Sequence, residues 1–173
     1  LENMKKLLSL VFFTMLLCTP TKAQDVLNYM MHNALETVND TTKSLFERKV
    51  AIFKYDELTY IRGKILPAAD MLSGNMNVDT LNAKIKQLNE LSYAMHQYLQ
   101  LYFKRLDECK KKNRDKVMFF FKRATIDSPL FNDEDKELVN AYYDRDDYPL
   151  QFCLDCDWEK ALGVIRNIDW SKY

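Results

Sequence analysis

Glycine and proline are scarce in this chain, with three glycines and four prolines among 173 residues. So few breakers exclude a collagenous or low-complexity polypeptide, and an apolar share of 47% excludes a disordered one, leaving a single soluble globular domain. Charge of neither sign predominates: 25 Lys and Arg stand against 25 Asp and Glu. That balance speaks against nucleic acid as a partner, because domains that bind it through bulk electrostatics carry a large basic excess. Catalytic signatures are missing too. There is no Gly-x-Ser-x-Gly, no Ser-x-x-Lys, no His-Glu-x-x-His, no phosphate-cradling glycine loop and no Asp-x-Asp-x-Asp-Gly calcium loop. Carboxylate pairs leave no spacing signature, so an enzyme built on Asp and Glu alone is not excluded.

What is present begins with a targeting pattern. Met4, Lys5 and Lys6 precede the apolar run 7–18, and Thr19-Pro20-Thr21-Lys22-Ala23-Gln24 follows. A positive n-region, a short apolar region and small residues at Thr21 and Ala23 predict a secretory signal peptide over residues 1–23, with translation starting at Met4 and cleavage after Ala23. The run is shorter than the roughly 20 residues of a membrane span, and none after it is longer. Leu17 opposes a lipid anchor on Cys18, because the residue before a lipidated cysteine is small. Two lysines and a brief apolar region point to a Gram-negative bacterial envelope, so a periplasmic or secreted location is expected.

Beyond residue 24, good helix formers run in long stretches. Leu27, Met31, Ala34 and Val38, then Leu45, Phe46, Val50, Phe53 and Ile61, keep mostly to three- and four-residue steps. They predict one long helix over 25–62, or two with a hitch at Asn39-Asp40-Thr41-Thr42, where side chains compete for backbone hydrogen bonds. The strongest periodicity is Leu81, Ile85, Leu88, Ser92, Met95, Leu99, Tyr102, Leu106 and Cys109, a second long helix with Asp79 as its N-cap. A short turn of helix is expected within 67–72, and further helices at 115–124, 133–144 and 157–168. Val117 to Ala124 reads as a helix buried nearly all round, with a short strand over 117–121 as the competing reading. The predicted fold class is all-α: a helical bundle built on an antiparallel hairpin of the two long helices plus shorter C-terminal helices, one domain over 24–173.

Cys153-Leu154-Asp155-Cys156 is the motif best suited to chemistry, standing before a predicted helix whose N-terminus lowers thiol pKa values. Against a redox role, thioredoxin-type motifs need a βαβ setting, and Asp155 and Asp157 oppose a thiolate. In an oxidising compartment the expected use is structural, a disulfide from Cys109 to Cys153 or Cys156. A metal half-site is the weaker alternative: zinc takes four ligands, and His96 and Cys109 stand too far apart along one helix to share an ion. Non-covalent haem on Met30 or Met31 with His96 is open on fold grounds alone, so no cofactor is expected. Asp40-Thr41-Thr42 and Asp79-Thr80-Leu81 resemble a short O-glycosylation acceptor, but Asp and Thr supply turns and caps in any case.

Charge is segregated along the chain. Residues 104–123 are basic, with Lys110, Lys111, Lys112 and Arg114 as a candidate contact patch, and residues 127–159 are acidic. Mutual neutralisation of the two blocks competes with a peripheral membrane contact or an acidic partner, with Phe103 and the three phenylalanines 119–121 as apolar complement. Off-seam Tyr93, Tyr98 and Leu101 offer a stripe for a protein partner or for homo-oligomers. Together these features predict a non-catalytic exported module for binding or scaffolding. The alternative is a thiol-redox or metal-binding protein centred on Cys153 and Cys156.

Overall fold

The computed structural model describes residues 22–72, 74 and 76–173. The expected signal peptide, Cys18 included, lies outside the described residues except for its last two positions. Seven helices follow in order: α1 Lys22–Asn39, α2 Leu45–Ile65, α3 Ala68–Leu72, α4 Val78–Glu108, α5 Arg114–Ile126, α6 Lys136–Val139 and α7 Trp158–Arg166. Short 3-10 turns stand at Lys111–Asn113 and Trp170–Lys172. Among the described residues there is no strand, and the protein is all-α.

The expected first long helix is divided in two where side chains outbid the helix for backbone groups. Asp40 Oδ1 accepts from the Thr42 backbone N–H at 2.9 Å and from its hydroxyl at 2.6 Å, an arrangement that favours a turn over continued helix. Ser44 and Glu47 then close a capping box that starts α2. The turn sends α2 back along α1. Arg48 Nε donates to the Val38 carbonyl at the near end, while Leu27 and Asn28 share a cleft with Arg62 and Leu66 at the far end.

Helix α4 buries the seam that its periodicity predicts, from Ile85 through Leu88, Ser92, Met95, Leu99 and Tyr102 to Leu106. Its N-cap is Asn77, not Asp79: the Asn77 side-chain oxygen accepts from the Thr80 N–H at 2.8 Å. Asp79 falls in the first turn, where a carboxylate meets the positive end of the helix dipole. Tyr98 is not part of an exposed stripe; it is fully buried and its hydroxyl donates to the Phe121 carbonyl at 2.5 Å. Rings of Phe53, Tyr98, Phe152 and Trp158 meet edge-to-face at the centre, the geometry that aromatic quadrupoles prefer.

Two of the C-terminal expectations need correction. On α5, Val117 and Phe121 are wholly buried but Phe119 is 60% exposed, so the helix keeps a solvent face. The predicted helix 133–144 shrinks to the four residues of α6: Asp133 accepts from the Asp135 N–H in a turn ahead of it, and Asp135 caps the helix by accepting from the Leu138 N–H. No described helix is long and apolar enough to cross a membrane.

Candidate functional site

Helices α1, α2 and α4 leave between them a groove of about 650 Å³, within the ~300–1,000 Å³ of typical small-ligand sites. Phe46, Val50 and Lys54 line it from α2 at four-residue spacing, one face of the helix. Met30, Asn33, Ala34 and Thr37 form the α1 wall, and Tyr93, His96 and Phe103 the α4 wall. Phe46 meets Phe103 edge-on at 5.8 Å between ring centres, yet keeps 52% of its surface exposed. Tyr29 and Tyr93, at 66% and 61%, leave further apolar area open at the rim.

The polar groups of the groove are few. Lys54 is half-buried and makes no ion pair or hydrogen bond among the described residues, and burial lowers its pKa from the ordinary lysine value. His96 is also held below its ordinary pKa, first by burial and then by the positive charge of Lys54. Among the described residues Glu47 is the only carboxylate on the wall, and its Oε2 is taken by the N–H and hydroxyl of Ser44. The Thr37 hydroxyl turns back to the Asn33 carbonyl of its own helix. The site is therefore a mainly apolar trough with two lysines, Lys54 half-buried within it and Lys43 exposed at its rim.

Of the residues singled out from sequence, Met30 and His96 both line this groove. Tyr93 joins them, while Leu101 is half-buried on another face of α4. Lys54 went unnoticed. Its one signal was a lysine continuing the Phe46–Val50 stripe, where a purely solvated side chain is not expected.

The cysteine motif is held as a structural element. Asp155 is buried and accepts three backbone N–H groups: Leu130 at 3.0 Å and Phe131 at 2.8 Å on Oδ1, and Asp133 at 2.7 Å on Oδ2. Between Leu130 and Asp133 the loop places Asn132 at φ 53°, a left-handed conformation that Asn tolerates. Cys153 donates its N–H to Thr125 Oγ1, and Asp157 its own to the Ser128 carbonyl. Both thiols are buried. Burial pushes Cys153 up to about 11 and Cys156 well above the ordinary thiol value, with the Glu57 charge adding to both. The start of α7 does not offset this, and a thiol so held is a poor nucleophile.

Cys109, Cys153 and Cys156 are all free thiols, so the expected bridge from Cys109 is not formed. Cys109 instead caps α4, with its thiol on the Leu106 carbonyl, in a cleft with Met118 and Pro149. Among the described residues no group of three His, Cys, Asp or Glu side chains is placed to hold a metal ion.

Beside the motif lies Glu57, wholly buried, which the sequence reading also passed over. Its Oε1 accepts from the Trp158 indole N–H at 2.6 Å, while Oε2 has no partner. The spacing did carry a signal, since Glu57 stands four residues after Phe53 and four before Ile61, both wholly buried.

The basic patch stays at the surface. Lys110, Lys111, Lys112 and Arg114 are exposed, and the three lysines join no ion pair among the described residues. Arg114 donates to the Leu106 carbonyl at the end of α4, a favourable place for a cation. The two charge blocks do not neutralise one another. Asp133 and Asp147 pair instead with Lys64 and Lys49 of α2; among the described residues Arg123–Asp127 is the one ion pair between the blocks, while Lys122 reaches the uncharged Gln151 and the ring of Tyr143. The apolar complement also divides: Phe103 lines the groove, Phe121 is buried, and Phe119 is exposed beside the patch.

Comparison with family models, curated proteins and solved structures gives no match.

Proposed function

We propose that this chain is an exported binding module that holds an apolar ligand in the α1–α2–α4 groove and performs no chemistry on it. One observation carries the reading: an open, mainly apolar trough of ligand size, with a half-buried lysine that no charge or acceptor compensates among the described residues. Folded proteins leave such surface exposed mainly where something binds. The exported setting, periplasmic or secreted, rests on the pattern of residues 1–23, and the single domain over 24–173 on the continuous helical reading. Support for an antiparallel pairing of α2 with α4 comes from Phe46 against Phe103 at one end and Leu66 beside Ile85 and Leu88 at the other. The thiol alternative is weakened by buried, hydrogen-bonded cysteines whose pKa values move away from reactivity.

Titration with the neutral fluorophore N-phenyl-1-naphthylamine tests the reading. One saturable site is expected, lost when Asn33→Trp fills the α1 wall while the melting temperature holds. A probe that fails to bind, or binds Asn33→Trp equally well, removes the groove as the working surface.

A further inference from the structure

We infer that the groove takes a single-headed anionic amphiphile, an alkyl chain ending in a carboxylate, with its head on Lys54 and its chain along Phe46 and Phe103. This deepens the binding reading above and rests on it. Charge selects the sign of the ligand. Lys54 is withdrawn from water without a counter-ion among the described residues, and a half-buried ammonium of that kind gains most from an anion brought in by the ligand. Glu47, the wall carboxylate, is committed to Ser44 and does not supply that anion. Beside Lys54, His96 presents a ring N–H donor that needs no positive charge to meet a carboxylate.

Shape and polarity select the body. All three walls are helices, whose mid-helix backbone groups are satisfied internally, so the groove has no edge on which a peptide main chain can pair. Its remaining surface is mainly apolar: Val50 and Ala51 at the base, Phe46, Phe103 and Tyr93 at the sides. One half-buried cation in a mainly apolar trough, with the second lysine, Lys43, exposed at the rim, matches a ligand with an anionic head and an otherwise apolar chain. It does not match a cationic amphiphile, which both lysines repel.

The test is displacement of N-phenyl-1-naphthylamine from the full chain by laurate, dodecanol and dodecylammonium. Laurate is expected to displace it at concentrations about tenfold or more below dodecanol, the scale of one charge-assisted contact, and dodecylammonium least well. Lys54→Gln should weaken laurate by a similar factor and leave dodecanol unchanged. Lys54→Arg should restore most of the difference, and unchanged melting temperatures exclude misfolding as the cause. Equal displacement by laurate and dodecanol, or a Lys54→Gln loss shared by both, overturns the anionic head while the groove stands. Haemin binding with a shifted Soret band that is lost in His96→Ala, and that laurate does not displace, overturns the alkyl chain in favour of a macrocycle. Absence of binding by every probe removes the groove reading and this inference together.

Discussion

Trp158 donates its indole N–H to Glu57 across 2.6 Å, and neither side chain keeps any exposed surface. Burial pushes the Glu57 carboxyl well above its ordinary pKa; the indole hydrogen bond works against that rise and the nearby Asp155 charge adds to it. A raised folded pKa means that the native state retains a proton which the unfolded chain has already released. Stability from this group is full below about pH 4.3, the unfolded value, and declines as pH rises toward the folded one. Urea midpoints should therefore fall as pH rises above the unfolded value. Glu57→Gln keeps an acceptor for Trp158 and should flatten that limb; an unchanged slope would place the titration elsewhere.

Asp155 satisfies three backbone donors from one carboxylate. Asp155→Ala orphans all three, at about 1–3 kcal/mol each, so a loss of several kcal/mol is expected in chemical denaturation. Asp155→Asn retains one carbonyl oxygen and should cost less. Near-equal stabilities for the two variants would show that solvent replaces the lost acceptor.

Thiol reactivity should separate the cysteines. Half-buried Cys109 is expected to react first with a disulfide reagent at pH 8, while Cys153 and Cys156 react only as fast as the protein opens, since burial suppresses both thiolates. Denaturant should make all three fast. A native protein in which Cys153 or Cys156 leads would reinstate a redox role for the motif.

On the acid side Asp133 is the carboxylate whose pKa is lowered furthest among the described residues: Lys64 holds it first, the Asp135 N–H next and Tyr60 after them, down to about 2. Its folded pKa lies below the unfolded one. The stabilisation is thus present above about pH 4 and is lost as pH falls toward 2. Asp133→Asn should remove that part of the acid transition and leave stability at pH 7 lower; circular dichroism through acid titration checks both.

Replacing Lys110, Lys111 and Lys112 together by Gln should shift stability by no more than about 0.5 kcal/mol, because exposed side chains without partners contribute little. A clear drop in melting temperature would mean that the acidic segment reaches them after all.

The seam of α4 and the break at Asp40 were legible because both are local: the first depends on three- and four-residue steps, the second on a side chain two residues from the N–H it captures. The groove was not, since Met30, Lys54 and His96 meet only through tertiary folding. The cysteine pair misled in part, because a helix N-terminus is visible in sequence whereas the burial that outweighs it is not. Residues 133–144 failed for a similar reason: their acidic side chains were available equally to a helix face and to turns, and contacts such as Lys64–Asp133 are drawn from a distant helix.

The bond between Trp158 and Glu57 spans 101 positions of sequence. During synthesis, then, α2 is complete long before the indole that receives its buried carboxyl exists. The ring cluster of Phe53 and Tyr98 likewise lacks a member until residue 158 has been made, so the centre of the core cannot close before the C-terminal segment arrives.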